Sequence, residues 1–224
     1  MEIKITPLRI RFDTLYIIQA EGIILVDGGD PKLFGRFMKL VDGASIKPEE
    51  IQLIILTHGH WDHVGLTKEI KDYCSAKVMM HQSDLNLLKD FPPSQPPGFT
   101  PWGKGIISLL KLYTRSLRIP AFDVDFPFGN DNFVLDEFGI PGKVVHTPGH
   151  SPGSVSVVLD SGEAFVGDLA MNMFPMRLSP GLPIFGDDIQ VVKDSWRKLR
   201  EMNVRMVYPA HGKPFQADII FQGL

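Results

Sequence analysis

Residues 56–65 read LTHGHWDHVG, which puts three of the chain's seven histidines and one aspartate within six positions, His58 to His63. The residues before them, IQLIILT, form a short apolar run of the kind that makes a strand buried on both faces. The residues after them, VGLTKEIKDY, read as helix. The H-x-H-x-D-H cluster therefore lies on a strand-to-helix turn, the sort of loop that carries function on a rigid scaffold. His58, His60, Asp62 and His63 are the ligand types that suit zinc, with iron or manganese as further candidates.

Three more residues of ligand type each fall just past a predicted strand. His150 lies in HTPGHSPGS after KVVHT, Asp168 ends AFVGD, and His211 lies in YPAHGKP after VRMVY. Strands are also expected over 3–10, 14–26, 132–135 and in AKVMMH and SVSVVLD. Helices are expected in PKLFGRFMKL with Asp30 as cap and Pro31 in the first turn, in SDLNLLKD, and from Asp187 or Asp188 through Met202. Strands in both halves with helices between them predict an α/β sandwich. Residues 1–224 are read as one domain with a proline-rich and helical insertion at about 85–127, because strands on both sides of it must complete a common core.

Composition narrows the function classes. The net charge of −3 and pI near 6.1 speak against a nucleic-acid partner, which would need a basic face. The single cysteine, Cys74, excludes an internal disulfide framework and is read as a buried structural thiol in a reducing compartment. The N-terminus lacks the apolar core of a secretory signal, and no apolar run is long enough to span a bilayer. A cytoplasmic protein acting on a small molecule, with no integral membrane segment, is expected; a homodimer is left open. Within the insertion, residues 104–118 place Ile106, Leu109, Leu110, Tyr113 and Leu117 at helical spacing. That helix is read first as a lid or pocket wall and second as an ordinary surface helix. A membrane-surface role comes last because the apolar face is short.

Other motifs compete for attention. GHSPG, residues 149–153, fits the G-x-S-x-G elbow of serine hydrolases, but that elbow must precede a helix and here SVSVVLD follows as a strand. His81 and His146 are read as supporting or structural histidines, and Trp61 as a wall of the site or a packing residue.

LVDGG (with Asp27), THGHWDH, TPGHSPGS, GD and PAHG occur in an order and spacing that resembles the metallo-β-lactamase superfamily over most of the chain. The resemblance implies a four-layer αββα sandwich with a dinuclear site at one edge. It implies a first metal held by His58, His60 and His150, a second held by Asp62, His63 and His211, and Asp168 bridging the two. Asp27 would steady the metal loop, as outer partners of metal ligands do. Two divalent ions, zinc as the first choice, would lower the pKa of a shared water to about 7. Asp62 would act as the catalytic proton carrier.

The reaction implied is cleavage of an ester, lactone or thioester carbonyl. The β-lactamase class with a cysteine ligand has Cys where this chain has Asp168. Glyoxalase II-like thioesterases share all seven ligands but usually add a basic helical region, whereas this sequence stops soon after His211; Arg177 is the obvious anion anchor here. Lactonases with the same ligands typically carry tyrosine where this chain has Met171. The apolar loop LAMNMFPMRLSPGLPIF, if it lines the pocket, points to a substrate with an apolar portion. Three alternatives stay open: a persulfide dioxygenase with one iron on His58, His150 and Asp168, a phosphodiesterase or β-lactamase using the same site, and a non-catalytic binding module.

Overall fold

Alternation along one strand sets the layering. In β2 (Thr14–Gln19), Leu15 and Ile17 enter one apolar cluster while Tyr16 and Ile18 enter another, so both faces of the strand are buried. The computed structural model describes residues 2–222 and 224. In its first half, β1 (Lys4–Arg9), β2, β3 (Ile23–Val26), β4 (Ile51–Ile55), β5 (Lys77–His81) and β6 (Phe126–Phe128) form a six-stranded sheet in that spatial order. The first three strands are antiparallel and β3 to β6 run parallel. A second six-stranded sheet comprises β7 (Phe133–Val134), β8 (Gly142–His146), β9 (Val155–Leu159), β10 (Glu163–Gly167), β11 (Met206–Pro209) and β12 (Phe215–Gln216). It is antiparallel except at the β10–β11 pair.

Helices cover the outer faces. Phe37 and Val41 of α1 (Phe34–Gly43) pack on the first sheet beside Ile70 and Cys74 of α3 (Thr67–Cys74), with the one-turn α2 (Trp61–Val64) between them in sequence. Burial pushes the Cys74 thiol up to about 11, as befits an inert core residue. On the second sheet lie Val192, Trp196 and Leu199 of α5 (Ile189–Glu201), with Ile220 and Phe221 of α6 (Asp218–Phe221). Between the sheets, Leu53, Ile55 and Met79 meet Val144, Val157 and Phe165. The order of layers is helix, sheet, sheet, helix.

Several local expectations are corrected. Asp30 does not cap α1: the helix begins at Phe34 with no side-chain cap, after a left-handed Lys32 (φ 66°), and Asp30 is buried. The strand expected over 14–26 is a hairpin of two, and SDLNLLKD is 3-10 helix. The insertion helix α4 spans Pro101–Thr114, earlier than 104–118. It starts there because the Thr100 hydroxyl accepts from the Gly103 amide at 2.9 Å with proline at the first position. Residues 126–128, partly inside the expected insertion, are a strand of the first sheet. Among the described residues, no helix is long and apolar enough to cross a membrane.

The buried Tyr16 hydroxyl donates to the Pro209 carbonyl at 2.8 Å, joining the two sheets beneath the edge where the ligand-type residues gather. Tyr16→Phe removes that bond and leaves a buried carbonyl without its donor. A loss of about 1–2 kcal/mol is expected in denaturant unfolding.

Candidate metal centre

The seven ligand-type residues come from four segments and meet at one edge of the sandwich. The β4–α2 turn running into α2 carries His58, His60, Asp62 and His63; the loops after β8, β10 and β11 carry His150, Asp168 and His211. All are buried except Asp62, which is partly open. Ligand-type atoms within 4.8 Å of one another fall into three groups: His58, His60 and His150; Asp62, His63 and His211; and His58, His63 and Asp168. Asp168 lies between the first two, with Oδ2 3.6 Å from His150 Nε2 and Oδ1 at 3.4 Å from His63 Nε2 and 3.2 Å from His211 Nε2.

Four of the five imidazoles are oriented by the nitrogen that faces away. His63 Nδ1 donates to Asp27 Oδ2 at 2.9 Å, His150 Nδ1 to the Phe185 carbonyl at 3.2 Å and His211 Nδ1 to the Phe12 carbonyl at 3.0 Å. His58 Nδ1 lies 3.1 Å from Thr57 Oγ1, which is itself bound to Asp27. These contacts leave Nε2 as the inward atom of all four rings. His60 is turned the other way, with its Nδ1 3.0 Å from His150 Nε2. Asp27 reaches its position through a left-handed backbone (φ 66°), and its Oδ1 also accepts from the Thr57 amide at 2.8 Å. The strand end opposite is equally constrained. Gly167 has φ 52°, and a side chain there would sit 2.4 Å from Thr57 Oγ1.

The donors are unmatched without a cation. His58 Nε2, His63 Nε2 and Asp168 Oδ1 are buried with no hydrogen-bond partner. Burying such groups unpaired is unfavourable, and a nitrogen and oxygen set of this kind fits a borderline divalent ion. Burial, reinforced by neighbouring imidazoles, holds His58 well below the usual histidine range and His60 down at about 3. Burial also lowers His150. The second group behaves differently. Burial opposes charge on His63 and His211, but Asp27 and Asp168 hold the first, and Asp168 and Asp62 the second, well above the usual value. Asp168 is kept well below the carboxylate range by His211 and His63 against the effect of burial.

Other residues singled out in the sequence are placed as follows. Trp61 is buried beside the centre and packs on Tyr113 of α4, with centroids 5.6 Å apart. His146 is not among the clustered donors; it stacks on His81 at 4.1 Å and its Nε2 donates to the Pro152 carbonyl at 2.8 Å. Arg177 does not stand at the site as an anion anchor, because its guanidinium binds the Ser179 and Leu182 carbonyls of its own loop. Met171 is fully buried in a small apolar cluster with Ile107, Ile184 and Phe185. Ser151 is no free nucleophile: it precedes a strand and donates to Asp84 at 2.6 Å.

Three aspartates escaped sequence reasoning. Buried Asp84 accepts from the Gly59 amide at 3.0 Å, the Ser151 hydroxyl and the Gly153 amide at 2.6 Å, and so staples the His58–His63 turn to the His150 loop. Asp13 and Asp30 are buried near His211 and Asp62. Burial, then repulsion from Asp30, raises Asp13 to about 8; burial, then Asp62, raises Asp30 to about 6. An aspartate preceding Pro31 imitates a helix cap, and nothing local marks Asp84 or Asp13.

Two outcomes are expected. Asp84→Ala strands three donors and lowers stability by at least about 2 kcal/mol in denaturant unfolding, whereas Asp27→Asn weakens zinc binding about 10- to 100-fold in competition with a chelator. Because their aspartate neighbours hold His63 and His211 well above the usual histidine value, zinc loading at pH 7 is expected to release protons, and affinity climbs as pH rises. Calorimetry in buffers of different ionisation enthalpy measures this; release of none would mean both rings are already neutral.

A family model described as the metallo-beta-lactamase superfamily matches residues 13–211. The probable metallo-hydrolase YflN of Bacillus subtilis (strain 168) is 26% identical over 237 residues, spanning 95% of this chain and 87% of that protein. The hydroxyacylglutathione hydrolase GloC of Haemophilus influenzae is 27% identical over 120 residues, covering 53% of this chain and 50% of that protein. Among solved structures, the BLEG-1 B3 metallo-beta-lactamase superposes with a TM-score of 0.70 at 23% identity, covering 97% of this chain and 95% of that one, a likeness of fold. With its two helix-covered sheets and its edge cluster of histidines and aspartates, the chain belongs to the metallo-beta-lactamase superfamily.

Proposed function

We propose that the chain hydrolyses an ester, lactone or thioester whose acyl portion is apolar, with two zinc ions on the seven clustered residues. The observation that carries this reading is a cavity of about 360 Å³ that reaches the centre at Asp62 and His211. Its walls are almost wholly apolar: Trp61, Leu110 and Tyr113 on one side, Met173, Met176 and Phe185 on the other. A pocket of this kind selects apolar substrate by burial and leaves polar recognition to a few groups at its ends. Here those groups are Asp62 and His211 at the centre, with Arg11 and Asp30 also lining the wall.

Bound divalent ions would acidify a water and polarise the carbonyl oxygen. The chain's own residues supply the rest. Asp62 belongs to the cluster and also lines the cavity, and its carboxylate stays ionised because His211 counters its burial, with Nε2 3.5 Å from Oδ2. It takes the proton from the attacking water and delivers it to the departing oxygen or sulfur. Trp61 and Phe185 exclude bulk water, which strengthens the field of the charged groups on the reacting carbonyl. The hydroxyacylglutathione hydrolase named above is a thioester hydrolase by its name, which supports placing thioesters within the range.

The test is a panel of acyl esters, lactones and thioesters with acyl chains of two to about ten carbons, followed by pH indicator. Each added methylene is expected to raise kcat/KM about fourfold until the cavity is filled, near 0.8 kcal/mol per buried methylene. Leu110→Asp should abolish that dependence while short esters are still cleaved, and Asp168→Ala should abolish all turnover. Flat dependence on chain length would sink the apolar assignment. Oxygen consumption with a persulfide, from protein holding one iron per chain, would replace the hydrolase reading with the dioxygenase one.

A further inference from the structure

The insertion helix α4 walls the cavity with only part of its surface. Gly103, Ile107 and Thr114 are buried against the body, while Trp102, Leu109, Leu112 and Tyr113 are at least half exposed, Leu109 at 70%. The exposed apolar residues Trp102, Leu109 and Tyr113 recur at i, i+7 and i+11, one stripe along the helix. Lys104, Lys111 and Arg115 recur at the same spacing two positions on, about 200° around the helix, at the other margin of its exposed side with Leu112 between the two rows, and Arg115 lies just beyond the helix end. From residue 91 to residue 122 there are four basic residues and no acidic one, in a chain of net charge −3.

The apolar stripe is continued by other segments. Trp102 Nε1 donates to the Pro175 carbonyl at 3.0 Å, beside Phe174, which is 75% exposed. Arg11 binds the Tyr113 hydroxyl at 3.2 Å and lies over the exposed ring of Phe12. Leu109, Tyr113, Phe12 and Pro175 also line the cavity, so the patch surrounds its mouth. An exposed apolar patch rimmed by charge marks an interaction face. A helix with tryptophan and leucine on one side and lysine and arginine on the other is the pattern of interfacial helices.

We propose that this mouth docks on the surface of a bilayer containing anionic phospholipid. Trp102, Leu109 and Phe174 enter the headgroup boundary, while Lys104, Lys111 and Arg115 meet the lipid phosphates. The basic stripe and the lack of any acid across 91–122 are what select an anionic surface over a neutral one. Docking stands on the surface alone. That the bilayer also delivers the apolar substrate rests on the function proposed above.

The experiment is co-sedimentation of the full chain with vesicles of phosphatidylcholine and with vesicles of mixed phosphatidylcholine and phosphatidylserine. Binding to the mixed vesicles only is expected, falling with added salt. Its fluorescence should shift to the blue, and the shift should vanish in Trp102→Phe, since Trp61 and Trp196 are already buried. The Lys104→Glu/Lys111→Glu protein should partition about thirtyfold less. Trp102→Ser/Leu112→Ser should also lose binding, and an unchanged thermal midpoint in either variant establishes that the fold is intact. No binding to either vesicle, or binding that ignores the charge reversals, would overturn the proposal. A solution dimer dissolved by Trp102→Ser/Leu112→Ser would assign the face to a second copy instead. Chain-length dependence measured on soluble esters is read separately, so failure of docking and failure of the hydrolase reading are distinguishable.

Discussion

The carboxylate of Asp27 ties the end of β3 to the metal-type turn. One oxygen takes the Thr57 amide and hydroxyl, the other takes His63 Nδ1, and Thr57 Oγ1 in turn lies against His58 Nδ1. Three groups that would otherwise be buried polar orphans are thereby matched by a single side chain, itself almost fully buried, and a fourth, His58 Nδ1, is matched through Thr57. The parallel β3–β4 pair sets the two strand ends side by side, and the absence of a side chain at Gly167 lets a strand of the second sheet close over Thr57. The centre's geometry is thus inherited from how two parallel strands end.

Around this node the protein holds a cluster of groups that an apolar core would not tolerate. Five buried imidazoles and a buried carboxylate face inward, with three of their atoms unpartnered. The groups that orient the rings are committed: Asp27, Thr57, and the Phe12 and Phe185 carbonyls hold the rings, while Asp84 holds two of the loops together. A shell so well satisfied around an interior so poorly satisfied is the arrangement expected when a cation completes the structure.

How much of this could be read beforehand depended on distance along the chain. The donors were legible because each lies in a short motif at a strand end, and strands of alternating or continuous apolar residues are easy to see. Asp84 was illegible because its partners are Gly59, 25 positions away, and Ser151, 67 away. Asp30 was misread because Asp-Pro mimics a helix start, whereas the left-handed Lys32 delays α1 to Phe34. Arg177 looked like an anion anchor because a loop arginine near a ligand offers charge, but its own loop's carbonyls capture it. The insertion helix was judged by the apolar residues it carries, when only the packed fold reveals which of them remain outside.

Two of the histidines take their orientation from main-chain carbonyls that belong to the cavity wall: Phe185 for His150 and Phe12 for His211. Exchanging those side chains leaves the carbonyls in place, so the pocket's shape can drift by substitution without disturbing the centre. Lengthening or shortening either loop cannot do so, since it moves the acceptor as well as the wall. Diversification of specificity in this scaffold is therefore tolerant of point changes at these two loops and intolerant of insertions, the reverse of the freedom that surface loops usually enjoy.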